Sequence, residues 1–135
     1  MIGWFKRRRG TMPDDVRAEI EAEGIEFLEE QLKGIVIYRH YIAAGQRPRS
    51  GDQSITAALA LTPKRLVMRA TLGVTLDAPP GVVRSEVAKP GWLQLTYQAE
   101  DLYPTRSGTV EISLETARAD DIHARLQAWT QTSTS

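Results

Sequence analysis

The sequence contains no cysteine. Disulfides, thiolate metal sites and a cysteine nucleophile are therefore excluded. Histidine occurs only as His40 and His123, with neither H-x-x-x-H nor H-E-x-x-H spacing, so a histidine-based metal site lacks its ligands. The phosphate-loop patterns G-x-x-x-x-G-K-[ST] and G-x-G-x-x-G are missing, as is the G-x-S-x-G of hydrolases. Charge-free runs are short. Gln53 to Pro63 is among the longest and falls well below the ~20 residues of a membrane span. Lys plus Arg equals Asp plus Glu, 17 each, which excludes a globally basic nucleic-acid binder. No repeat of domain-building length is visible.

What is present fits one soluble globular domain: 135 residues, 41% apolar and 25% charged. The zero net charge hides an alternation along the chain. Residues 1–10 carry four bases and no acid, and residues 11–32 hold eight acids against Arg17. Residues 33–71 then hold seven bases against Asp52, and residues 72–135 hold five bases and eight acids. Such blocks either neutralise one another in the fold or leave one basic face. The first ten residues, MIGWFKRRRG, place their charges after a very short apolar piece. A secretory signal does the reverse, so the expected location is the cytoplasm.

Thr11 and Pro13 mark a helix start, with Asp14 and Asp15 in the first turn where the helix dipole favours acids. Val16 and Ile20 share a face, and Gly24 ends the element. Residues 25–32 fit either a helix or a strand. Phe27, Leu28 and Leu32 favour a short helix leading into extended chain. From Gly34 the period becomes two. Ile35 to Ile42 reads as a strand, Ala43 to Gln53 as a loop, and Ile55, Ala57, Leu59 and Leu61 alternate through a second strand. Thr62–Pro63–Lys64 is a tight turn. Leu66, Met68 and Ala70 continue in a third strand, and a short piece follows around Val74 and Leu76. Val82–Ala88, Trp92–Ala99 and Val110–Leu114 complete about seven antiparallel strands. A last helix begins near Ala119 and aligns Ile122, Leu126 and Trp129. The expected layout is a basic tail over 1–12 and one domain over 13–131. Its helices span 13–23 and about 119–130, its strands lie at about 34–115, and residues 132–135 form a polar tail. The predicted class is mainly β (α+β), a small barrel or sandwich whose terminal helix caps an open end and buries Trp129.

The hairpin Ala60–Leu61–Thr62–Pro63–Lys64–Arg65–Leu66–Val67 resembles the L-T-x-x-R-L turn of pleckstrin-homology-like (PH-like) domains, including bacterial and GRAM-like relatives. The order of elements and the Ile122/Leu126/Trp129 helix resemble that family over about residues 34–131. The resemblance implies a binding module rather than an enzyme, with no cofactor. Its ligands would be membrane lipids in some members and proteins or peptides in many. It also directs attention to bases around the first strand–loop–strand, here Arg39, Arg47 and Arg49. Pro48 places the Arg47/Arg49 pair in a loop.

The anion- and membrane-binding candidates are therefore Trp4, Phe5, Lys6, Arg7, Arg8 and Arg9 at the N-terminus, with Arg39, Arg47 and Arg49. Aromatic rings suit the headgroup level, and each base gains ~1 kcal/mol near an anionic surface. Lys64, Arg65 and Arg69 are candidates to extend a basic face. His40 is expected to be packed or partnered, and His123 to lie at the surface. Tyr38 and Tyr41 have opposite parity in a regular strand and are not expected to form one platform, and no nucleic-acid partner is expected. The leading expectation is a non-enzymatic module peripheral to the inner face of an anionic membrane. The alternative is a protein-interaction or self-assembly module, forming homo-oligomers or taking a peptide on a sheet edge. An interior carrier site is disfavoured, because side chains fill a barrel of this size.

Overall fold

The structure is a computed structural model and describes residues 9–43, 45 and 49–134. Helix α1 (Asp14–Glu23) precedes seven strands and is separated by them from helix α2 (Ala119–Thr134). The strands are β1 (Phe27–Ala43), β2 (Arg49–Leu61), β3 (Leu66–Ala70), β4 (Thr75–Ala78), β5 (Arg84–Lys89), β6 (Trp92–Gln98) and β7 (Arg106–Glu115). They form one antiparallel sheet in the order β4-β3-β2-β1-β7-β6-β5. The sheet curls into a half-barrel with a helix at each end of the sequence, the mainly β class expected.

β1 is the spine, pairing with β2 on one side and β7 on the other. It carries two irregularities. Register shifts fall between Glu29 and Leu32 and again between Tyr38 and Tyr41, and Gln31 and His40 adopt φ of 60° and 54°. Each extra residue reverses the alternation of everything beyond it. The result is that Phe27, Leu32, Val36, Tyr38 and Tyr41 all join the concave core.

This geometry corrects the expected short helix within 25–32. The helix-like spacing of Phe27, Leu28 and Leu32 is a strand interrupted by a bulge. Its pairing with β2 begins at Phe27–Leu61. The expected loop over 43–53 is also shorter, because Arg49 already pairs with Tyr41 and starts β2. Arg49 thus sits in the second strand. The terminal helix continues past 130 to Thr134.

The second half of β2 is covered on both faces. Ile55, Ala57, Leu59 and Leu61 point into the main core. Ala58 and Ala60, with Val67 of β3, meet Met12, Val16 and Ile20 on the convex side. α1 is therefore held by a small apolar patch, each buried aliphatic side chain contributing ~1.5–3 kcal/mol. At the β2–β3 turn the Thr62 side chain accepts the N–H groups of Lys64 and Arg65 at 3.1 and 3.2 Å. It donates to Glu23 of α1 at 2.9 Å. Arg65 reaches Glu19 at 3.1 Å, Glu23 at 2.9 Å and Asp77 at 3.0 Å. On the other side, the Trp129 indole N–H donates to the Pro63 carbonyl at 3.2 Å. The L-T-P-K-R-L hairpin thus ties both helices to the closed end of the half-barrel. α2 packs Ile122, Leu126 and Trp129 into the main core, the capping role expected of it.

Candidate functional site at the open end of the half-barrel

The opposite end is open, and the second β1 bulge shapes it. Because His40 is the extra residue, Tyr38 and Tyr41 come to lie on the same face, their ring centroids 5.3 Å apart and the planes tilted by 60°. This overturns the expectation that they cannot share a platform, which assumed unbroken alternation. Gly108 of β7 permits the bulge to approach. A Cβ there would lie 2.5 Å from the His40 carbonyl oxygen and 2.7 Å from the Tyr41 Cα. His40 itself is exposed rather than packed, and its backbone N–H donates to Ser50 Oγ at 3.2 Å.

Tyr97, at the end of β6, and Tyr103, in the β6–β7 connection, complete the mouth. All four tyrosines of the chain border one cavity of about 210 Å³, together with Gln53 and Arg106. The Arg106 guanidinium lies 4.3 Å from the centre of the Tyr103 ring, a cation–π geometry. Tyr97 is only 7% exposed. Burial is the main force raising its phenol pKa, and the neighbouring tyrosines add to it against a smaller opposing effect of Arg106. The phenol is therefore neutral at any physiological pH, a donor and acceptor inside an aromatic wall.

The rim of this mouth is apolar in an unusual way. Leu72, in the 3₁₀ turn Thr71–Gly73 between β3 and β4, is 68% exposed and adopts φ 63°. A bulky residue held in the left-handed region and turned to solvent carries a cost. Ile42 near the end of β1, on the face opposite Tyr41, is 41% exposed.

Trp4, Phe5, Lys6, Arg7, Arg8 and Arg47 lie outside the described residues. Arg9 borders a shallow hollow formed with Thr56, Thr71 and Leu72, so the chain enters the described fold beside the open rim. The next residues are strapped to the sheet: Gln31 N–H donates to the Gly10 carbonyl at 2.8 Å, and Met12 is buried. Arg39, next to Tyr38 and on the other face of β1, forms an exposed ion pair with Glu111 at 3.2 Å. Arg65 and Arg69 meet Glu19, Glu23 and Asp77 and do not extend a basic face. The acidic block 11–32 and the basic block 33–71 are thus partly neutralised across the α1–sheet interface. His123 is half-buried rather than at the surface, its Nδ1 2.9 Å from Ser85 Oγ, which joins α2 to β5.

Residue-by-residue reading missed the tyrosine mouth with Arg106. The available signal was the polar Arg39–His40 pair between Tyr38 and Tyr41, a break in the otherwise apolar run Ile35–Ile42. Among the described residues no three His, Asp or Glu side chains are placed to hold a metal ion, and no helix is long and apolar enough to cross a membrane. A scan against models of known protein families matched none, and a search of curated proteins found no match.

Proposed function

We propose that this chain is a non-enzymatic, PH-like binding module that docks peripherally on an anionic membrane surface, at the inner face in the cytoplasm. The observation that supports it most is that Arg9 lines one surface hollow with Thr71 and Leu72. Arg9, the last base of the basic–aromatic segment Trp4–Phe5–Lys6–Arg7–Arg8–Arg9, lies beside the exposed aliphatic Leu72. One end of the molecule then offers two signals at once, an electrostatic one and an apolar one. Stable attachment generally takes two such signals. Leu72 and Ile42 supply apolar contact, the tyrosines suit the headgroup level, and Arg106 adds a base to the same end. Arg49 begins β2 at that end as well.

Vesicle co-sedimentation tests the reading. Binding is expected to vesicles containing phosphatidylglycerol and not to pure phosphatidylcholine, and to fall as salt shortens the Debye length from ~10 Å at 0.1 M to ~3 Å at 1 M. Deleting residues 1–8 leaves the Gly10 strap in place and removes Lys6, Arg7 and Arg8. At ~1 kcal/mol per base the loss is ~3 kcal/mol, roughly a hundredfold in affinity. Absence of binding to every vesicle would remove the membrane reading and leave a protein partner or self-association in front.

A further inference from the structure

The geometry points to the tyrosine mouth as a binding site for a small planar carboxylate, an aromatic acid of single-ring size, independent of any membrane docking. Four features select this class. First, the cavity is walled by Tyr38, Tyr41, Tyr97 and Tyr103, and aromatic rings favour a flat partner that can stack or meet them edge to face. Second, its charged lining residue is Arg106, with no Asp or Glu beside it on the wall. That disfavours a cation and favours an anion. Third, the Arg106 guanidinium carbon lies 4.3 Å from the centre of the Tyr103 ring, a contact that positions the group at the mouth, where its N–H donors suit bidentate engagement of a carboxylate. Among the described residues it forms no ion pair, unlike Arg39, Arg65 and Arg69. Fourth, about 210 Å³ is less than the roughly 300–1,000 Å³ of sites for drug-sized ligands. A nucleotide or a pair of acyl chains does not fit such a space, whereas one ring with its carboxylate does. The neutral Tyr97 phenol on the wall is suited to hydrogen-bond a ring substituent or a carboxylate oxygen.

The test uses the full chain and amide chemical shifts recorded by NMR during titration with benzoate, 4-hydroxybenzoate and nicotinate. The comparison compounds are benzamide, which is planar and neutral, and cyclohexanecarboxylate, which is charged and not planar. Saturable shifts are expected at Gly73, Val74, Thr75 and Arg106 with at least one planar carboxylate. Both comparison compounds should bind about tenfold more weakly or worse, in line with the loss of a charge-assisted contact or of the stacking. Arg106→Gln, at an exposed position that does not threaten folding, is expected to weaken the planar acid by a similar factor. Tyr103→Leu should weaken it while leaving spectra of the closed end unchanged. Three results would overturn the proposal: no saturable shift with any of the three acids, equal binding of cyclohexanecarboxylate, or undiminished binding by Arg106→Gln.

Discussion

Replacing Gly108 with alanine tests the account of the β1 bulge. Gly108 has φ +108°, a conformation that L-residues rarely adopt, at a cost of ~1–3 kcal/mol. Its new Cβ would also lie 2.5 Å from the His40 carbonyl oxygen and 2.7 Å from the Tyr41 Cα. Both are backbone atoms of the spine strand, so relief requires β1 and β7 to separate, adding ~1–3 kcal/mol as for other overpacked sites. Gly91 provides the matched control. It has φ +81° in the β5–β6 turn, and a methyl group added there would meet nothing within 4 Å, so Gly91→Ala carries only the conformational cost of ~1–2 kcal/mol. Urea and thermal unfolding of the two variants should therefore differ, with losses of ~2–6 kcal/mol for Gly108→Ala and ~1–2 kcal/mol for Gly91→Ala. For a chain of this size that corresponds to Tm losses of roughly 8–24 °C and 4–8 °C. Near-UV circular dichroism should also show the tyrosine signal changed in Gly108→Ala alone, because Tyr38 and Tyr41 are set by the bulge. Equal losses in the two variants would refute the claim that close strand approach at Gly108 holds the mouth together.

Two further outcomes follow from the attachment of α1. Ile20 is fully buried against Ala58, Ala60 and Val67, whereas Ile25, just past the helix, is 36% exposed. Ile20→Ala should thus cost ~2–4 kcal/mol and Ile25→Ala under ~1 kcal/mol in urea unfolding, and a small effect at Ile20 would mean that α1 is not docked. Acid titration probes the polar half of the same contact. Hydrogen bonding from Arg65 is the main cause holding the Glu23 carboxyl below its ordinary value of 4.5. A folded pKa below the unfolded one stabilises fully above pH 4.5 and loses that contribution as pH falls through the folded value. The urea midpoint should accordingly drop more steeply below pH 4.5 in the native chain than in Arg65→Gln; parallel profiles would count against the Glu23–Arg65 pair.

The strands that keep regular alternation were legible from the residues alone. Leu59 and Leu61, Leu93 and Leu95, and Ile112 and Leu114 lie in the core where period two puts them. α2 was legible from Ile122, Leu126 and Trp129, and α1 from its proline start and glycine stop. The curled sheet follows from these segments and their short turns. The candidate site was not legible in the same way. Its tyrosines come from β1, β6 and the connection after β6, and two of them share a face only because His40 is an extra residue in the strand. No periodicity encodes an inserted residue; it is set by how β1 must bend to pair with β2 and β7 together. The same holds for charge. The run of acids in α1 gives no sign that Glu19 and Glu23 face Arg65, forty-odd residues away, because that contact is created by the β2–β3 turn folding back over the helix.

The paired irregularities of β1 behave like compensating frameshifts. The one at Gln31 moves the chain out of phase and the one at His40 restores it. Phe27 and Tyr41 consequently share a phase, and Leu32 to Tyr38 occupy the other. Removal of either extra residue would restore unbroken alternation there with the inward set of side chains unchanged, so the bulges add local bend and twist and leave the choice of face as it is. The changes of length this strand tolerates least are thus those away from Gln31 and His40, where a gained or lost residue would turn everything beyond it to the other face.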